Sequence, residues 1–539
     1  MSMPKWVLLA TISLLILGCT ASQPALAPAG ENETPKPGGQ LNIVQTVDQH
    51  TWDLSFRNTA GGQEYAYNSL MAFKTGPDIP YAEMVLLPEL AERWEVSPDA
   101  KVFTFTIRKG VKFQDQPPVN GRELNAADVK WSYEYWSRTG QFKDNKKLPK
   151  AQLDFLFEGI QSVETPDRYT AVVRFNDAFV PFLNYAATFK NPIAPHEIYD
   201  QDGDLQTRIV GTGPFILDQA NSLKDSKMVW TKNPNYWDEG KPYLDSVRWL
   251  ILPEKATSDA AFKTKQVDLL STIEFQEYQE LIGGNPTAVV QKYVQPRGLH
   301  IYFGHVHGGG PLSDIRLRRA IASAIDRDEI NKATAGGHGA WAIPGAAYGL
   351  FTDQETRQLE KYDPAETKRL LTEAGFPNGL TLDWPYKVPN DRQIVNELYQ
   401  AQLKRVGINA PFRTMDQVTQ RVLKYSGDYD LDEGGSLGQV VADPDSMLFG
   451  AYHSSSSLNW AQLRDPELDR LVVAQRREID PTKRKELMKA AGKRIIDMQW
   501  AVETIYPPYW SVSHPYVRNF YSHFGNNNTG DVEKIWLNK

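Results

Sequence analysis

Apolar and polar residues alternate in one early segment of the chain, and a helical period follows after a polar loop. Phe103, Phe105 and Ile107 are separated by threonines, which is the two-residue period of a β-strand. After a loop rich in proline and glycine, Asn125 is suited to cap a helix, and Asp128 falls in its first turn, where the helix dipole favours an acid. The pattern predicts a strand, a long turn and a helix.

Similar patterns recur along the rest of the chain, so strands and helices are expected to alternate in an α/β fold. Strands are predicted within residues 39–49, twice within 155–175, at 247–251 and at 380–386. Helices are predicted over residues 63–71, 179–185, 257–265 and 394–406. Three more helices are predicted to begin at Asp-Pro pairs, with the aspartate as cap and proline at the first helical position, after Asp363, Asp465 and Asp480.

A further helix is predicted after Pro311, with Ser313 or Asp314 as its cap. Its buried stripe is expected to contain Leu317, Ala320, Ile321, Ala324 and Ile325. Its arginines are expected on a solvated outer face, with anion binding as the alternative: Arg316, Arg318 and Arg319.

The first residues of the chain have the pattern of an export signal. One lysine precedes an apolar run from Trp6 to Leu17, which is too short to span a membrane and suits residues 1–18 as a signal peptide. The sequence Ile-Leu-Gly-Cys that ends at Cys19 looks like a bacterial lipobox, so Cys19 is predicted to carry a lipid. Residues 19–37 would then form a lipidated flexible tether, and an ordinary signal peptide is the alternative.

Composition excludes some classes of protein. The chain is 41% hydrophobic and 11% aromatic, which excludes a disordered protein and allows large cores. Its formal net charge is −7 and its basic residues are scattered, which argues against nucleic-acid binding. After Cys19 no apolar stretch approaches 18 residues, so the lipid is expected to be the only membrane anchor of an exported body.

Three blocks carry a resemblance to a known family. They begin with PELAERWEVSPDAKVFTFTIRKGVKF at Pro88, with VGTGPFIL at Val210, and with PLSDIRLRRAIASAIDRDEI at Pro311. The residues of these blocks, and the order of the blocks along the chain, resemble those of the family 5 solute-binding proteins, the peptide and nickel receptors of ABC importers. The resemblance extends from about Gly38 to the C-terminus.

The resemblance implies a periplasmic-binding-protein-like receptor with three lobes and a ligand cleft between two main lobes joined by a hinge. Lobe I would comprise residues 38–76, 205–298 and 504–539, lobe II residues 77–204, and lobe III residues 299–503. It also implies a monomer without catalytic activity or cofactor that captures a peptide or peptide-like solute and delivers it to a membrane permease. An oligosaccharide or another neutral solute is the alternative ligand.

Ligand contacts are predicted from the position of residues in the resembled family and from their chemistry. The candidates are Trp52, Tyr67, Asn68, Trp384, Glu433, Gln439, Val440, Tyr452, Asn459 and Trp460. Core or surface packing is the alternative for Trp52, Tyr67, Asn68 and Trp460.

One candidate position departs from the family. The peptide receptors of this family resemble one another in an aspartate that faces the α-amino group of the ligand, and Val440 stands where that acid would be. No acidic residue occurs from 434 to 442. Because an unpaired buried ammonium costs several kcal/mol, we expect weak binding of short peptides with free N-termini. Glu433 or Asp443 could substitute only if the loop were reshaped.

Two other functions, a serine esterase and a metal receptor, are alternatives to solute binding. Residues 434–438 read Gly-Gly-Ser-Leu-Gly, the pattern of a nucleophile elbow around Ser436, but the sequence after it predicts no helix directly following the serine. His305 and His307 could bind a metal such as nickel, yet two ligands do not complete a site. Neither a serine esterase nor a metal receptor is therefore favoured.

Overall fold

The computed structural model describes residues 33–48, 51–54, 61–148, 151, 153–388, 390, 392–435, 440–526 and 531–539. Cys19, Ser436 and Gln439 lie outside these residues, so the predictions made for them stay predictions. Within the described residues, no helix combines the length and the apolar character needed to cross a membrane.

The helices, in chain order, are α1 Gln63–Ala66, α2 Ala126–Ser137, α3 Phe182–Ala186, α4 His196–Asp202, α5 Lys255–Lys263, α6 Phe275–Gly284, α7 Ile315–Ala324, α8 Arg327–Ala335, α9 Asp353–Leu359, α10 Pro364–Glu373, α11 Gln393–Arg405, α12 Gln417–Ser426, α13 Pro444–Tyr452, α14 Pro466–Arg477 and α15 Pro481–Asp497. Short 3-10 helices occur at Gly140–Phe142, Asp154–Phe157, Pro311–Ser313, Ala346–Tyr348, Phe524–Asn526 and Val532–Lys534.

The strands are β1 Gln40–Gln45, β2 Met71–Phe73, β3 Leu86–Pro88, β4 Ala91–Val96, β5 Val102–Ile107, β6 Ile160–Asp167, β7 Thr170–Phe175, β8 Phe215–Leu217, β9 Lys227–Lys232, β10 Ser246–Ile251, β11 Leu269–Ile273, β12 Val289–Val294, β13 Leu299–Phe303, β14 Ala340–Trp341, β15 Leu380–Thr381, β16 Trp384–Lys387, β17 Ile408–Asn409, β18 Phe412–Met415, β19 Leu431–Gly435, β20 Ala501–Glu503, β21 Ile505–Tyr506, β22 Pro508–Ser513, β23 Val517–Arg518 and β24 Trp536–Leu537.

The residues predicted as lobe I, called the first lobe, contain a seven-stranded sheet with the order β12-β22-β11-β1-β10-β9-β8. The second and third lobes likewise denote the residue ranges predicted for lobes II and III. The strands of the seven-stranded sheet come from the start, the middle and the end of the chain. Strand β1 runs parallel to β10 and β11, whereas β22 is antiparallel to both of its neighbours. Tyr65 stacks on Trp230, and Trp249 meets Tyr65 edge-on, so aromatic rings fill one face of the sheet.

The second lobe contains strand β5 and helix α2. An antiparallel sheet with the order β4-β5-β7-β6 carries α2. Phe103, Phe105 and Ile107 are buried in it, which confirms the predicted alternation. Asn125 and Asp128 form a reciprocal capping box at the start of α2, which confirms the predicted cap.

The third lobe combines the sheet β19-β13-β20 with helices α7 to α15. The Asp-Pro starts of α10, α14 and α15 are confirmed, because each aspartate accepts backbone N–H groups of its helix. The predicted apolar stripe of α7 is buried as expected, and Asp314 is its cap.

One arginine of α7 contradicts the prediction of a solvated face. Arg318 is only 2% exposed. Its guanidinium donates to the carbonyls of Leu312 at 2.7 Å, Met498 at 2.9 Å and Gln499 at 3.1 Å, and it lies over the ring of Trp500. The side chain is buried because these carbonyls supply the acceptors that water would otherwise provide. Arg316 and Arg319 are exposed, as predicted.

Two predicted elements are shorter than expected. The helix predicted over 63–71 ends at Ala66, because Ser69 donates its N–H to Glu89 and accepts from Leu90, which draws the chain into strand β2. The strand predicted at 380–386 is split into β15 and β16, and the backbone carbonyl of Asp383 accepts two N–H groups at the break.

The chain crosses between the first and third lobes twice. Residues 295–298 join β12 to β13, and residues 504–507 connect β20 to β22 through the short strand β21. Each crossing is therefore a few residues that link the seven-stranded sheet to the three-stranded sheet. Segments of this kind are suited to absorb the backbone rotation of a hinge.

Candidate functional site

A cavity of about 250 Å³ is lined by residues from the segments 64–89, 187–189, 214–241 and 531–534. Its wall includes Tyr67 and Asn68, two of the predicted ligand residues, together with Glu89, Tyr236 and Trp237. Tyr67 is placed there because Gly211 and Gly213 approach the backbone of the preceding residue so closely that a β-carbon would collide with it. The glycine-rich segment therefore serves packing.

Asn68 is the centre of the hydrogen bonds around this cavity. Its amide nitrogen donates to Glu89 Oε1 at 2.7 Å, and its amide oxygen accepts from Thr212 Oγ1 at 3.0 Å and Trp237 Nε1 at 3.1 Å. The side chain is 6% exposed. These bonds fix the amide, so Asn68 positions Glu89 and Trp237 in the cavity wall.

Two carboxyl groups in the same cavity wall have a raised pKa. Burial raises the pKa of Glu89 to about 8, although hydrogen bonds from Asn68 and Ser69 oppose the shift. Burial raises the pKa of Glu533 to about 7, with Asp531 adding to the effect. Both carboxyl groups therefore lose their protons much closer to neutral pH than an exposed glutamate would.

Aromatic rings from the third lobe surround Trp460. Trp460 meets Tyr302 and Tyr425 edge-on, with ring centroids 6.3 and 6.2 Å apart, and the ammonium of Lys424 lies 5.2 Å from its ring. Trp460 is half-buried, so part of its indole stays accessible.

Tyr452 ends helix α13 and is 3% exposed, and burial raises its pKa well above the ordinary value.

The acids nearest to Val440 are engaged by other side chains. Glu433 accepts from Asn390 and from Arg392, each at 3.3 Å, and is 4% exposed. Asp443 caps α13 and forms an ion pair with Arg484. Val440 itself is half-buried and packs against the core. The two acids that flank residues 434–442 in the sequence, Glu433 and Asp443, are therefore both bonded to protein partners.

Two cationic residues that the sequence analysis did not single out have lowered pKa values. Arg297 lies in the first crossing segment, and burial lowers its pKa. Burial lowers the pKa of Lys190 to about 8, Glu64 opposes that shift and Arg297 adds to it. Lys190 and Arg297 therefore share one electrostatic environment. No local sequence pattern indicates that the two residues interact, because they lie far apart in the sequence.

Three further predicted ligand residues have partners within the protein. Trp52 is 7% exposed and meets Trp230 edge-on, and Trp384 has no exposed surface and packs against Phe412. The ligand contacts predicted for these two indoles stay predictions. Asn459 closes its own loop by exchanging two hydrogen bonds with the backbone of Leu463, at 2.8 and 2.9 Å.

The residues of the two less favoured functions are only partly covered by the described part of the chain. Ser436 lies outside it, and the helix described next after strand β19 is α13, which begins at Pro444. His307 accepts the N–H of Arg464, while His305 lies 3.5 Å from Asp428. Among the described residues, no group of three or more potential ligands surrounds a metal position.

A family model matches most of the chain. Residues 85–459 match the model described as "Bacterial extracellular solute-binding proteins, family 5 Middle". The chain is 29% identical over 459 residues to the dipeptide-binding protein of Escherichia coli K12, covering 79% of this chain and 80% of that protein. It is 27% identical over 498 residues to heme-binding protein A of Haemophilus influenzae, covering 88% of each chain.

The fold is similar to solved structures as well. A periplasmic binding protein associated with an ABC transporter of Helicobacter pylori, solved with the peptide STSA, matches with a TM-score of 0.79. The match covers 94% of this chain and 99% of the other at 23% sequence identity. This likeness confirms the predicted α/β fold of the periplasmic-binding-protein type.

Proposed function

Because the chain belongs to family 5 of the bacterial extracellular solute-binding proteins, we propose that it captures a peptide or peptide-like solute for an ABC importer and delivers it to the permease. The observation that carries this proposal is the family match over residues 85–459. The names of two similar proteins, a dipeptide-binding protein and a receptor solved with a peptide, support the ligand class.

The ligand would lie between the first and third lobes, which would close around it by rotation about the two crossings at 295–298 and 504–507. From the first lobe we propose contacts by Tyr67 and Asn68 at the edge of the cavity described above. From the third lobe we propose Glu433, Gln439, Val440, Tyr452, Asn459 and Trp460. Of these, Trp460 offers the largest partly accessible ring.

The charges of Lys190 and Arg297 favour a particular ligand chemistry. These two cations would attract a carboxylate, whereas Val440 offers an ammonium no counter-ion and Glu433 is bonded to Arg392. A peptide with a free carboxyl end and a blocked or distant amino group fits this distribution. Short peptides with a free N-terminus would leave their ammonium poorly compensated.

The protein is further proposed to act as a monomer at the membrane surface, outside the cytoplasm, held there by a lipid on Cys19. The lipobox-like residues before Cys19 and the following tether of residues 19–37 support this anchoring. The proposed role is binding and delivery, with no chemical change to the solute.

Native mass spectrometry tests the proposal without prior choice of a ligand. Protein purified under non-denaturing conditions should carry one solute, and fragmentation should give peptide or peptide-like masses. Adding that solute to stripped protein should reduce the radius of gyration in small-angle scattering, because a ligand that touches both lobes stabilises the closed state. A bound oligosaccharide would establish the alternative ligand class, and an unchanged radius at saturation would argue against a hinged receptor.

A further inference from the structure

The second and third lobes meet directly at the start of helix α13. Tyr185 of the second lobe donates its hydroxyl to Asp445 of the third, and neither residue exposes any surface. Asn184 donates to Asp443 Oδ2 at 3.2 Å. Glu158 forms an ion pair with Arg476. Side chains on two segments of the second lobe thus bond to groups of the third lobe.

The backbone and aromatic rings reinforce this junction around Arg476. Its carbonyl accepts the N–H of Val180 at 2.9 Å, and its guanidinium donates to the carbonyl of Phe155 at 3.2 Å. The guanidinium carbon lies 5.1 Å from the ring centroid of Phe179 and 3.5 Å from that of Phe449. Phe179 belongs to the second lobe and Phe449 to the third, so Arg476 contacts rings from both lobes.

The third-lobe half of the junction is held in place by its own bonds. Arg476 donates to Asp445 through Nε at 2.8 Å and through Nη2 at 3.0 Å, and Arg476 is 3% exposed. Arg484 holds Asp443, which also caps α13. These pairs lie within one lobe and would survive a separation of the lobes. Only the bonds made by the second lobe would be lost.

We propose that Glu158, Asn184 and Tyr185, bonded to Arg476, Asp443 and Asp445, form a closing contact that favours the closed receptor and thereby increases its affinity for the solute. This inference rests on the proposed function, since it assumes hinged lobes. When the lobes open, each second-lobe group exchanges a protein partner for water, while a ligand that needs both lobes loses half of its contacts. Apparent affinity scales with the closed population, so residues that never touch the solute help to set it.

The test uses the second-lobe side, because changes at Arg476 would leave a buried carboxylate unpaired within the third lobe. The variant is Tyr185→Phe combined with Glu158→Gln, which removes one hydroxyl and one charge. The matched control is Tyr169→Phe combined with Glu164→Gln. Tyr169 bonds Glu123 and Glu164 pairs with Arg174, so the same chemical changes occur entirely within the second lobe.

Three readouts separate a closing contact from ordinary stabilisation. They are the radius of gyration of the ligand-free protein, the dissociation rate of an N-acetylated tetrapeptide from a binding panel, and the melting temperature. We expect the closing-contact variant to have a larger radius, about tenfold weaker binding arising mainly from faster dissociation, and a melting temperature like that of the control. An unchanged radius and affinity with a lower melting temperature would overturn the proposal.

The scattering comparison also separates this proposal from the proposed function. It needs no ligand, so a protein that binds no peptide in the panel would fail as a peptide receptor while the radii still test the closing contact. Equal radii for the wild type, the variant and the control would reject the closing contact, even if the wild type bound peptide tightly.

Discussion

Arg484 holds Asp443 at two points, with Nη2 2.8 Å from Oδ1 and Nη1 3.1 Å from Oδ2. Asp443 also accepts the N–H of Asp445 as the cap of α13. The carboxylate three residues beyond Val440 is therefore already engaged by protein groups, with Asn184 donating to it as well. A ligand ammonium would have to displace an arginine to use it, which is why the binding of ammonium ends is expected to be weak.

Lys190 provides a prediction about pH. Its pKa is lowered to about 8, mainly by burial, and a bound carboxylate would stabilise the charged form and raise that pKa. Binding of an anionic ligand should then take up protons near pH 8, and the affinity should fall by up to about tenfold per pH unit above that value. Calorimetry of an N-acetylated peptide between pH 7 and 9 measures this slope.

The Lys190→Gln variant should lose that slope, whereas Lys224→Gln, at an exposed lysine, should keep it. Equal slopes of affinity against pH in the two variants would show that the carboxylate of the ligand binds elsewhere than at Lys190.

Arg318 provides a prediction about stability. Replacing it with leucine leaves the carbonyls of Leu312, Met498 and Gln499 without their buried donor, so Arg318→Leu should cost about 2–4 kcal/mol. Arg319→Leu, at an exposed position of the same helix, should change stability by about 0.5 kcal/mol or less. Urea unfolding followed by tryptophan fluorescence compares them, and equal losses would show that the burial of Arg318 contributes little.

Glu89 couples stability to pH in the opposite direction from an ordinary salt-bridged acid. Because its pKa rises to about 8 on folding, its favourable contribution is complete below about pH 4.5 and is lost as the pH rises through 8. Glu89→Gln keeps an acceptor and carries no charge, so it should exceed the wild type in stability at pH 8.5 by at least about 1 kcal/mol, with a smaller difference at pH 5.

Unfolding at the two pH values tests this, with Glu92→Gln as the control because Glu92 is exposed on the neighbouring strand. A difference that does not grow with pH would contradict the raised pKa of Glu89.

The proposed anchor predicts a change in location. Each buried lipid methylene contributes about 0.8 kcal/mol of membrane affinity. Cys19→Ala should therefore release the protein into the soluble fraction or stall its processing, whereas Thr20→Ala should leave it with the membranes. Fractionation and immunoblotting provide the readout, and a processed Cys19→Ala protein that still sediments with membranes would place the anchor elsewhere.

Features fixed by neighbouring residues could be predicted from the sequence. The alternation of β5 and the Asn125 cap depend on residues within a few positions, and both are confirmed. The burial of Arg318 could not be predicted, because its acceptors Met498 and Gln499 lie far along the chain. A run of arginines on a helix looks solvated until the partner segment is known.

In the candidate site, too, features set by single residues could be predicted, whereas features set by distant parts of the chain could not. Trp384 and Trp460 are predicted as ligand contacts from their residue type, and type does not distinguish Trp384, which is fully buried, from Trp460, which is half-buried. The approach of Lys190 and Arg297 depends on how separate lobes meet, which no local pattern records. The lack of an acid at Val440 was readable directly, since it is a matter of residue identity.

Calorimetry with one matched pair of peptides tests the central claim most directly. A tetrapeptide with a free N-terminus and its N-acetylated form differ only in the ammonium, and both retain the carboxylate. We expect one-to-one binding of the acetylated peptide at least about tenfold tighter than that of the free form. Submicromolar binding of the free peptide that vanishes on acetylation would show that an ammonium site exists, and would contradict the roles proposed for Val440, Lys190 and Arg297.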